Sequence, residues 1–567
     1  MQAYRALLML TLLLLLPAVS LAQLDTADIL PEKPMIMPAA GQAGPNTWMF
    51  GQAYGNTTGA YNFGDQWYRA GQGLHFGIDL SMPCGTQLVA VADGTVQFVD
   101  DKSFGSDPHN LILRHEALGL TTLYGHLLNK PNLIPGQSVQ QGDVIGLSGD
   151  PDSTCVSRPH LHFEIRSLDY SRTVNPVNII EANWHMLATI GPFGYPLFQQ
   201  DLENPRQWIT LEDQPDVYFW GRILNNYNYV NPPGNSARPA PSPQITRDVP
   251  EVMDTAVYTL RQITSDGCCA NAQWHPTAAN TLYVTDGAPG ALAGVFEYNL
   301  NGIFGQNQLR PAPLPYLSAS GAYETERFVN TFVKVRHVAS GTEYQVNTGG
   351  RIPTMNPANS QLLWSVSDNA VIPGQTRPNT NIYMSDLDGN NTRVVYAEPG
   401  ASAMWLDDER VLVSTRSDSR EYTLRVLEWQ SGGVTEIGMW KEMRGLSVSP
   451  GGRYVSFYVN WQDDPETSGV YMVDTVDGMA VAQMPWFGGW RWRDADSVYY
   501  VPFQPGQQYH TLRTYDVATG DDRLMISPEL AQFTIADGYW TVSADGARIL
   551  FQNAADGRNL YVLEPEL

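Results

Sequence analysis

The stretch TVSADGARILFQNAADGRNLYVLE (541–564) is the one that decides the fold. It reads as a short apolar strand, the Asp545-Gly546 turn, a second strand, a second turn and a third strand. Asp-Gly between apolar runs is a strong hairpin signal. The stretch therefore predicts a small antiparallel sheet of three consecutive strands.

The same plan recurs along the second half of the chain. The first two copies, near Trp274 and Met355, are 81 residues apart, and each later copy follows the previous one after 43 to 50 residues. A period of about 40–50 residues with three or four strands per copy is typical of β-propeller blades. We count six blades, and a seventh if the long first step hides one at 331–348. The copies are located near Trp274, Met355, Trp405, Val448, Trp492 and Val542.

Two motifs within these copies carry a resemblance. Ser449-Pro450-Gly451-Gly452 precedes an apolar strand, and Tyr471-Met472-Val473-Asp474 lies on a later one. Residues 267–567 thereby resemble the TolB-type propeller family. The resemblance implies a fold and no particular function, because propellers serve as binding platforms and as enzymes.

The chain is too long for one hydrophobic core, so its 567 residues predict several domains. Glycine-punctuated strands predict a compact all-β unit, and a run of prolines near 232–243 predicts a linker. The predicted organisation is a signal peptide (1–22), an extended lead-in (23–45), a first domain (46–180), a connecting segment with a Pro-rich linker (181–245) and the propeller (246–567).

The amino terminus predicts export. Arg5 precedes the apolar run 7–16, and small residues end the segment at Ser20-Leu21-Ala22. A membrane anchor is the alternative, but the run is short for a spanning helix of about 20 residues. We expect a secreted or periplasmic/extracellular protein with no membrane span in the mature chain.

Charge and cysteine content narrow the possibilities further. A formal net charge of −24 argues against nucleic-acid binding, which needs basic patches. Four cysteines suit an oxidising compartment. Cys84 and Cys155 are a candidate disulfide, whereas the adjacent Cys268 and Cys269 are either a vicinal disulfide or two packed thiols.

Local patterns in the first domain predict two hairpins. The first is LVAVADGTVQFVD (88–100), which turns at Asp93-Gly94. The second joins NLILRHE (110–116) to TTLYGHL (121–127). Further strands are expected at 142–150 and 160–166.

Histidines concentrate in the first domain. His160 and His162 are two residues apart, so on a strand they point to one face. His75 and Asp79 would need a bend, which Gly77 can provide, or a helical turn. Two imidazoles and one carboxylate form a ligand set that zinc accepts, with a position left for water.

Residues 71–165 resemble the lysostaphin-like peptidoglycan endopeptidases. The motifs that carry the resemblance are HFGIDLSMPCGTQLVAVADGTV (75–96), LYGHL (123–127), GDVIGLSG (142–149) and RPHLHFEI (158–165). It implies one zinc ion held by His75, Asp79 and His162.

The resemblance also implies the remaining site residues. His126 and His160 would act on the attacking water, as a general base, and on the tetrahedral intermediate. Tyr68 is a candidate oxyanion donor, with structural packing as the alternative.

Glu164 shares the face of His162 and would either support that imidazole or form an outward salt bridge. We treat His185, His275, His337 and His510 as structural.

The sequence therefore predicts a secreted zinc metalloendopeptidase that hydrolyses peptidoglycan stem or cross-bridge peptides with a zinc-activated water. One alternative is a non-catalytic zinc protein that binds the wall or a partner. Another is a metallopeptidase that acts on secreted proteins, which the propeller would select. The propeller is a candidate binding platform for an unknown partner. We interpret its aromatic residues as packing between blades, with a carbohydrate- or peptide-binding face as the alternative; they are Trp405, Trp486, Trp490 and Trp492.

Overall fold

The structure is a computed structural model. It describes residues 33–57, 59–60, 64, 66–191, 199–200, 208–222, 245–250, 257–264, 267–287, 293–300, 309–311, 314–368 and 377–565. The signal peptide predicted at 1–22 lies outside these residues, as does most of the Pro-rich linker. Within the described ranges, no helix has the length and apolarity needed to cross a bilayer.

The first domain is built on one large antiparallel sheet. Its order is β1-β2-β9-β6-β5-β4-β7, with β10 and β13 added beside β9. A helix, α1, spans Trp184–Leu187. The strands up to the linker are β1 Met49–Gln52, β2 Ile78–Ser81, β3 Gln87–Val89, β4 Gly94–Val99, β5 Leu111–His115, β6 Leu120–Gly125, β7 Ser138–Val139, β8 Val144–Leu147, β9 His160–Ser167, β10 Arg172–Val174, β11 Gln199–Gln200, β12 Trp208–Ile209 and β13 Val217–Tyr218.

Strand β9 lies in the middle of this sheet, and one of its faces forms part of the hydrophobic core. β9 pairs with β2 on one side and with β6 on the other. Leu161, Phe163 and Ile165 on β9 are fully buried, and they alternate with the polar residues that face the opposite side of the sheet. The strand that carries His160 and His162 is thus held rigidly by pairing and packing.

The hairpin predicted at Asp93-Gly94 is wrong, whereas the β5–β6 hairpin is correct. β3 pairs with β8, and β4 pairs with β5 and β7, so the chain crosses over between β3 and β4. A Cβ atom on Gly94 would lie 2.8 Å from the His115 ring. Glycine is required there by that packing contact.

The second domain is a β-propeller, which confirms the all-β fold class. Its strands form six four-stranded sheets and one five-stranded sheet. They are β14 Ile245–Pro250, β15 Val257–Gln262, β16 Ala270–Trp274, β17 Thr281–Asp286, β18 Gly294–Asn299, β19 Arg310–Pro311, β20 Tyr316–Leu317, β21 Tyr323–Arg327, β22 Phe332–His337, β23 Glu343–Asn347, β24 Thr354–Met355, β25 Gln361–Ser367, β26 Asn379–Asp386, β27 Arg393–Pro399, β28 Ser402–Trp405, β29 Arg410–Arg416, β30 Glu421–Glu428, β31 Gly433–Lys441, β32 Met443–Val448, β33 Tyr454–Val459, β34 Gly469–Asp474, β35 Ala480–Gln483, β36 Gly488–Trp492, β37 Ser497–Pro502, β38 Leu512–Asp516, β39 Asp522–Ile526, β40 Ile535–Val542, β41 Ile549–Asn553 and β42 Asn559–Pro565.

The propeller therefore has seven blades. The stretch 331–348 lies in the sheet β20–β23, so the long first step does contain a further blade. The five-stranded sheet closes the ring, because β15 from the start of the domain pairs with β42 from its end. We call this sheet (β14, β15 and β40–β42) the closing blade.

The two domains pack directly against each other. Cβ atoms on Gly489 and Gly538 of the propeller would lie 2.3 Å from backbone oxygens of Thr189 and Ala188. In α1, His185 bonds to Asp537 of the closing blade at 3.1 Å. Such close backbone contact fixes the propeller relative to the sheet of the first domain.

The charge of His185 strengthens this interface. Its second ring nitrogen lies 2.9 Å from Glu212. Burial opposes a charged ring, but Asp537 and Glu212 outweigh it and raise the pKa of His185 to about 9. His185 is thus a cation held between two carboxylates, in keeping with its predicted structural role.

Candidate active site

Strand pairing brings the three predicted metal ligands together. Asp79 on β2 lies directly opposite His162 on β9. His75 precedes β2 and bridges to Gly55. The chain bends at Gly77 between His75 and Asp79, so the two side chains reach one point without a helical turn.

The ligand atoms are spaced as a tetrahedral metal site requires. His162 Nδ1 lies 2.9 Å from Asp79 Oδ1 and 3.2 Å from His75 Nε2. The His75 Nε2 and Asp79 Oδ1 atoms are 3.3 Å apart. Atoms about 2.0–2.1 Å from a tetrahedral ion lie about 3.3 Å from one another. The three atoms therefore fit around one ion.

Hydrogen bonds on the far side of each ring decide which atoms face this point. His75 Nδ1 donates to the Ala53 carbonyl at 2.7 Å, and His162 Nε2 donates to Glu164 at 3.1 Å. In neutral imidazoles the opposite nitrogens then carry lone pairs. Two lone pairs and the Asp79 carboxylate converge, so a cation is needed between them, either a proton or a metal ion.

Glu164 supports His162, which is the first of the two roles considered from the sequence. Its carboxylate is fully buried and also binds Arg166, whose Nε lies 2.6 Å away. Such a carboxylate behind a ligand histidine orients the ring and raises its basicity. Arg166 is a supporting residue that the sequence analysis missed.

Charge around the ligands follows from these contacts. Burial disfavours the charged ring of His162, but Asp79 and Glu164 outweigh it and raise its pKa to about 9. For Asp79, burial is likewise overcome by His75, His160 and His162, which hold the pKa of the carboxyl well below its usual value. Asp79 is thus a carboxylate at neutral pH.

Gly77 is required by close packing. A Cβ atom there would lie 2.5 Å from the Phe163 carbonyl oxygen and 2.8 Å from Cε1 of His162. Real Cβ atoms do not approach this closely. Because the neighbouring β9 backbone is held on both sides, the His162 ring is the part that would move.

We expect Gly77→Ala to lower metal affinity about 10–100-fold, the range found when the support of a ligand histidine is disturbed. Titration with a competing chelator measures the loss. Gly146→Ala is the matched control, because its Cβ would meet only Leu127 at an ordinary 3.8 Å. Equal metal affinity in the two variants would contradict the role given to Gly77.

His126 and His160 lie beside the ligand cluster. Their rings are 4.8 Å apart between centroids, and His126 is 5.9 Å from His162. His126 Nδ1 donates to the Asp107 carbonyl, and His160 Nδ1 donates to the Arg158 carbonyl at 2.7 Å. The Nε2 atom of each neutral ring is therefore the proton-accepting atom.

Both rings are neutral at physiological pH. Burial and the nearby His160 and His162 hold the pKa of His126 well below its usual value. Burial also lowers the pKa of His160, although Asp79 opposes the shift. A neutral imidazole can accept a proton, and as an imidazolium it can then stabilise nearby negative charge.

Tyr68 also lies beside the ligand cluster. Its ring packs edge-on against His75 with centroids 5.5 Å apart, and its hydroxyl lies 3.2 Å from both amide atoms of Gln52. Burial, with the Asp79 charge, raises the pKa of Tyr68 to about 12, so the hydroxyl keeps its proton. Tyr68 can therefore both pack under the site and donate a hydrogen bond.

The loop before β9 is anchored by a disulfide and a carboxylate. Cys84 and Cys155 are joined. Asp150 accepts hydrogen bonds from the backbone of Ser157 and Arg158 at 3.1 and 3.2 Å. The same Arg158 carbonyl holds His160, so the loop positions that imidazole. The structure also joins Cys268 to Cys269, in the propeller.

A cavity of about 1790 Å³ lies over the site, and the propeller forms its far wall. Four arginines of the propeller line it, together with Trp490 and Tyr458. No sequence pattern linked the propeller to the histidines, because the contact arises from the docking of whole domains. The four arginines are Arg416, Arg420, Arg444 and Arg491.

Comparison with known proteins identifies the first domain. Residues 73–176 match Peptidase family M23. This M23 domain contains all five histidine and aspartate positions of the cluster. The predicted resemblance of the domain to lysostaphin-like peptidases is confirmed by this match.

Relatives of the M23 domain are named as peptidases. An "Uncharacterized metalloprotease" of Haemophilus influenzae is 37% identical over 18% of this chain and 21% of its own. "DD-carboxypeptidase/endopeptidase Mpg" of Neisseria meningitidis is 39% identical over 19% and 23%. "Peptidoglycan DD-endopeptidase ShyA" of Vibrio cholerae is 32% identical over 20% and 24%. The chain spans less than a quarter of the length of each of these relatives.

Solved structures align with the propeller at low similarity. One is the β-propeller domain of the trilobed protease from Pyrococcus furiosus, which is 13% identical. The alignment covers 52% of this chain and 97% of that chain, with a TM-score of 0.38.

Proposed function

We propose that the protein is a zinc metalloendopeptidase whose zinc ligands are His75, Asp79 and His162. The observation that carries the proposal is the convergence of two imidazole lone pairs and a carboxylate at mutual distances of 2.9–3.3 Å. Imidazole and carboxylate in a three-ligand set are typical of catalytic zinc, whose remaining position is left for water. The match to Peptidase family M23 agrees with this chemistry.

When bound, zinc supplies polarisation of the scissile carbonyl and a more acidic water. The protein's own side chains carry out the proton transfers. His126 accepts the water proton at Nε2, since its Nδ1 is committed to the Asp107 carbonyl. The resulting imidazolium then returns the proton to the leaving amine.

The charge that develops on the carbonyl oxygen also needs partners. The Tyr68 hydroxyl is protonated and lines the cavity, so it can donate to this oxygen. His160 reaches the same space from the other side, where its Nε2 lies 3.8 Å from Asp79. His160 can accept the second proton of the attacking water, and the imidazolium that results stabilises the negative charge on the oxygen. Such prearranged donors and charges commonly supply the largest share of catalysis.

We propose peptidoglycan peptides as the substrate, outside the cytoplasm and after removal of residues 1–22. The support is the relative named as a peptidoglycan endopeptidase, together with the exported character of the amino terminus. The joined Cys84 and Cys155 fit an oxidising compartment.

Digestion of purified peptidoglycan by the zinc-loaded full-length protein tests this function. We expect new amine termini that mass spectrometry places at one bond of the stem or cross-bridge. The matched His162→Ala protein should release none. Release by both proteins would show that the histidine site is not responsible. Release by neither, with cleavage of secreted proteins by the wild type alone, would place the target among proteins.

A further inference from the structure

Positive charge is concentrated in the cavity between the domains. The chain has 34 basic and 58 acidic residues, yet six arginines and two aspartates line this space. On the peptidase side, Arg166 is neutralised by Glu164 and Asp79 belongs to the ligand cluster. Four of the six arginines but only one of the two aspartates belong to the propeller, so the excess of positive charge lies mainly on the propeller wall. An electropositive cleft in an acidic protein attracts anions.

Three of these arginines form one cluster on the wall: Arg416 at the end of β29, Arg420 in the following turn and Arg444 on β32. Arg420 is 7% exposed and pairs with Glu442 at 2.8 Å. Arg444 lies 3.7 Å from the same carboxylate. One glutamate thus serves two guanidinium groups, while Arg416 contacts a backbone carbonyl and the Tyr422 ring.

The cluster is electrostatically strained. Burial lowers the pKa of Arg420 to about 10; Glu442 opposes the shift, whereas the charges of Arg444 and Arg416 add to it. The Nε atoms of Arg416 and Arg420 are buried without a hydrogen-bond partner among the described residues. Like charges held together in a partly buried site are costly unless an anion completes them.

The cluster also adjoins the peptidase machinery. Arg416 Nη2 donates to the Ser157 carbonyl at 3.3 Å. The next residue, Arg158, holds the His160 ring through its own carbonyl at 2.7 Å. A ligand that touches Arg416 therefore lies beside the loop that positions His160.

We propose that Arg416, Arg420 and Arg444 form an anion subsite on the propeller wall that binds a free carboxylate of the peptide substrate. The inference rests on the proposed peptidase function. Guanidinium groups suit this task because their planar donors match a carboxylate in a bidentate manner. The propeller thereby takes part in substrate selection, favouring peptides whose carboxylate lies close to the bond cleaved.

Binding of a matched ligand pair tests the subsite independently of hydrolysis. The probes are N-acetyl-D-alanyl-D-alanine and its carboxy-terminal amide, titrated calorimetrically into the full-length zinc-loaded protein. We expect the wild type to bind the carboxylate at least about tenfold more tightly than the amide, the scale of a hydrogen bond to a charged group. Arg444→Gln should reduce this preference about tenfold, and Arg444→Lys should restore part of it.

Two further variants guard against misfolding and general charge effects. Arg416→Gln is a second test at a half-buried position, and melting curves check that each variant folds. Arg351→Gln is the matched control, since Arg351 is an exposed propeller arginine outside the cavity lining. It should keep the full preference.

The outcomes separate the two proposals. An arginine-dependent carboxylate preference without any peptidoglycan digestion would sustain the subsite and overturn the proposed function. Digestion by the wild type would overturn the subsite if the wild type shows no preference for the carboxylate, or if Arg444→Gln and Arg416→Gln both keep the wild-type preference. Binding of the carboxylate at the metal centre alone would give this second outcome, because the preference would then not depend on the arginines.

Discussion

Replacement of His162 by alanine is expected to remove the bound metal and to lower peptide hydrolysis by about three orders of magnitude or more. The variant loses one of three converging ligand atoms, and the buried Glu164 loses one of its hydrogen-bond donors while it keeps Arg166. A catalytic metal supplies several kcal/mol of transition-state stabilisation, and each 1.36 kcal/mol corresponds to a factor of ten. Metal content per chain and kcat/KM on a peptide substrate measure the two effects.

His337→Ala is the control for this substitution. His337 lies on β22 of the propeller, where it bonds to Ser340 at 2.8 Å and is not part of the cavity lining. Its removal should leave metal content and kcat/KM unchanged. Wild-type hydrolysis by a folded His162→Ala protein would refute the assignment of the metal site.

The second large effect is expected for His126→Ala, which should lower kcat about 10²–10⁴-fold while metal content stays the same. The variant loses the proton acceptor but none of the three ligand atoms. Its ring is partly exposed to the cavity, so the substitution leaves no closed apolar void. Steady-state kinetics on the metal-loaded protein, with metal analysis of the same sample, separate the two quantities.

His109→Ala provides the matched control within the same domain. The His109 side chain bonds to Asp100 at 3.0 Å and does not line the cavity, although the His109 backbone carbonyl accepts from Leu127, next to His126. Its kcat should remain within about twofold of the wild type. A loss of metal in His126→Ala would instead make that residue a ligand, and an unchanged kcat would exclude it as the base.

Much of the architecture could be predicted because it depends on local patterns of strand and turn residues. Strand and turn signals recur at blade spacing, so the sequence alone indicated a propeller, and only the weak copy at 331–348 left its blade number open. The parity of His160 and His162 indicated that both face one side of a strand. Their partners Asp79 and His75 were reached through a resemblance, because the pairing of β2 with β9 joins residues far apart in the chain.

Features that depend on packing were beyond the sequence. Gly94 looked like a turn residue, yet it is a glycine because the His115 ring lies against it. Gly77 was expected to permit a bend, and the structure adds a second constraint, the closeness of the His162 ring. Such contacts join non-neighbouring segments, so a single sequence does not specify them.

The way in which the two domains pack together could not be predicted from the sequence either. His185 lies in no recognisable sequence motif, but its side chain is held between Glu212 and the propeller residue Asp537. The arginine cluster likewise belongs to blades whose sequence gives no sign of the peptidase. Both features require knowledge of which propeller face meets the first domain.

The closing blade has a consequence for the timing of assembly. β15 is made early and β42 late, and the ring is closed only when the two pair. Asp537, which binds the His185 side chain, lies on β40 of that same blade. A chain that is still emerging from the ribosome has all strands of the first domain but lacks a finished propeller wall opposite them. The complete cavity is thus a late product of biosynthesis, because it forms only after the last blade has been made.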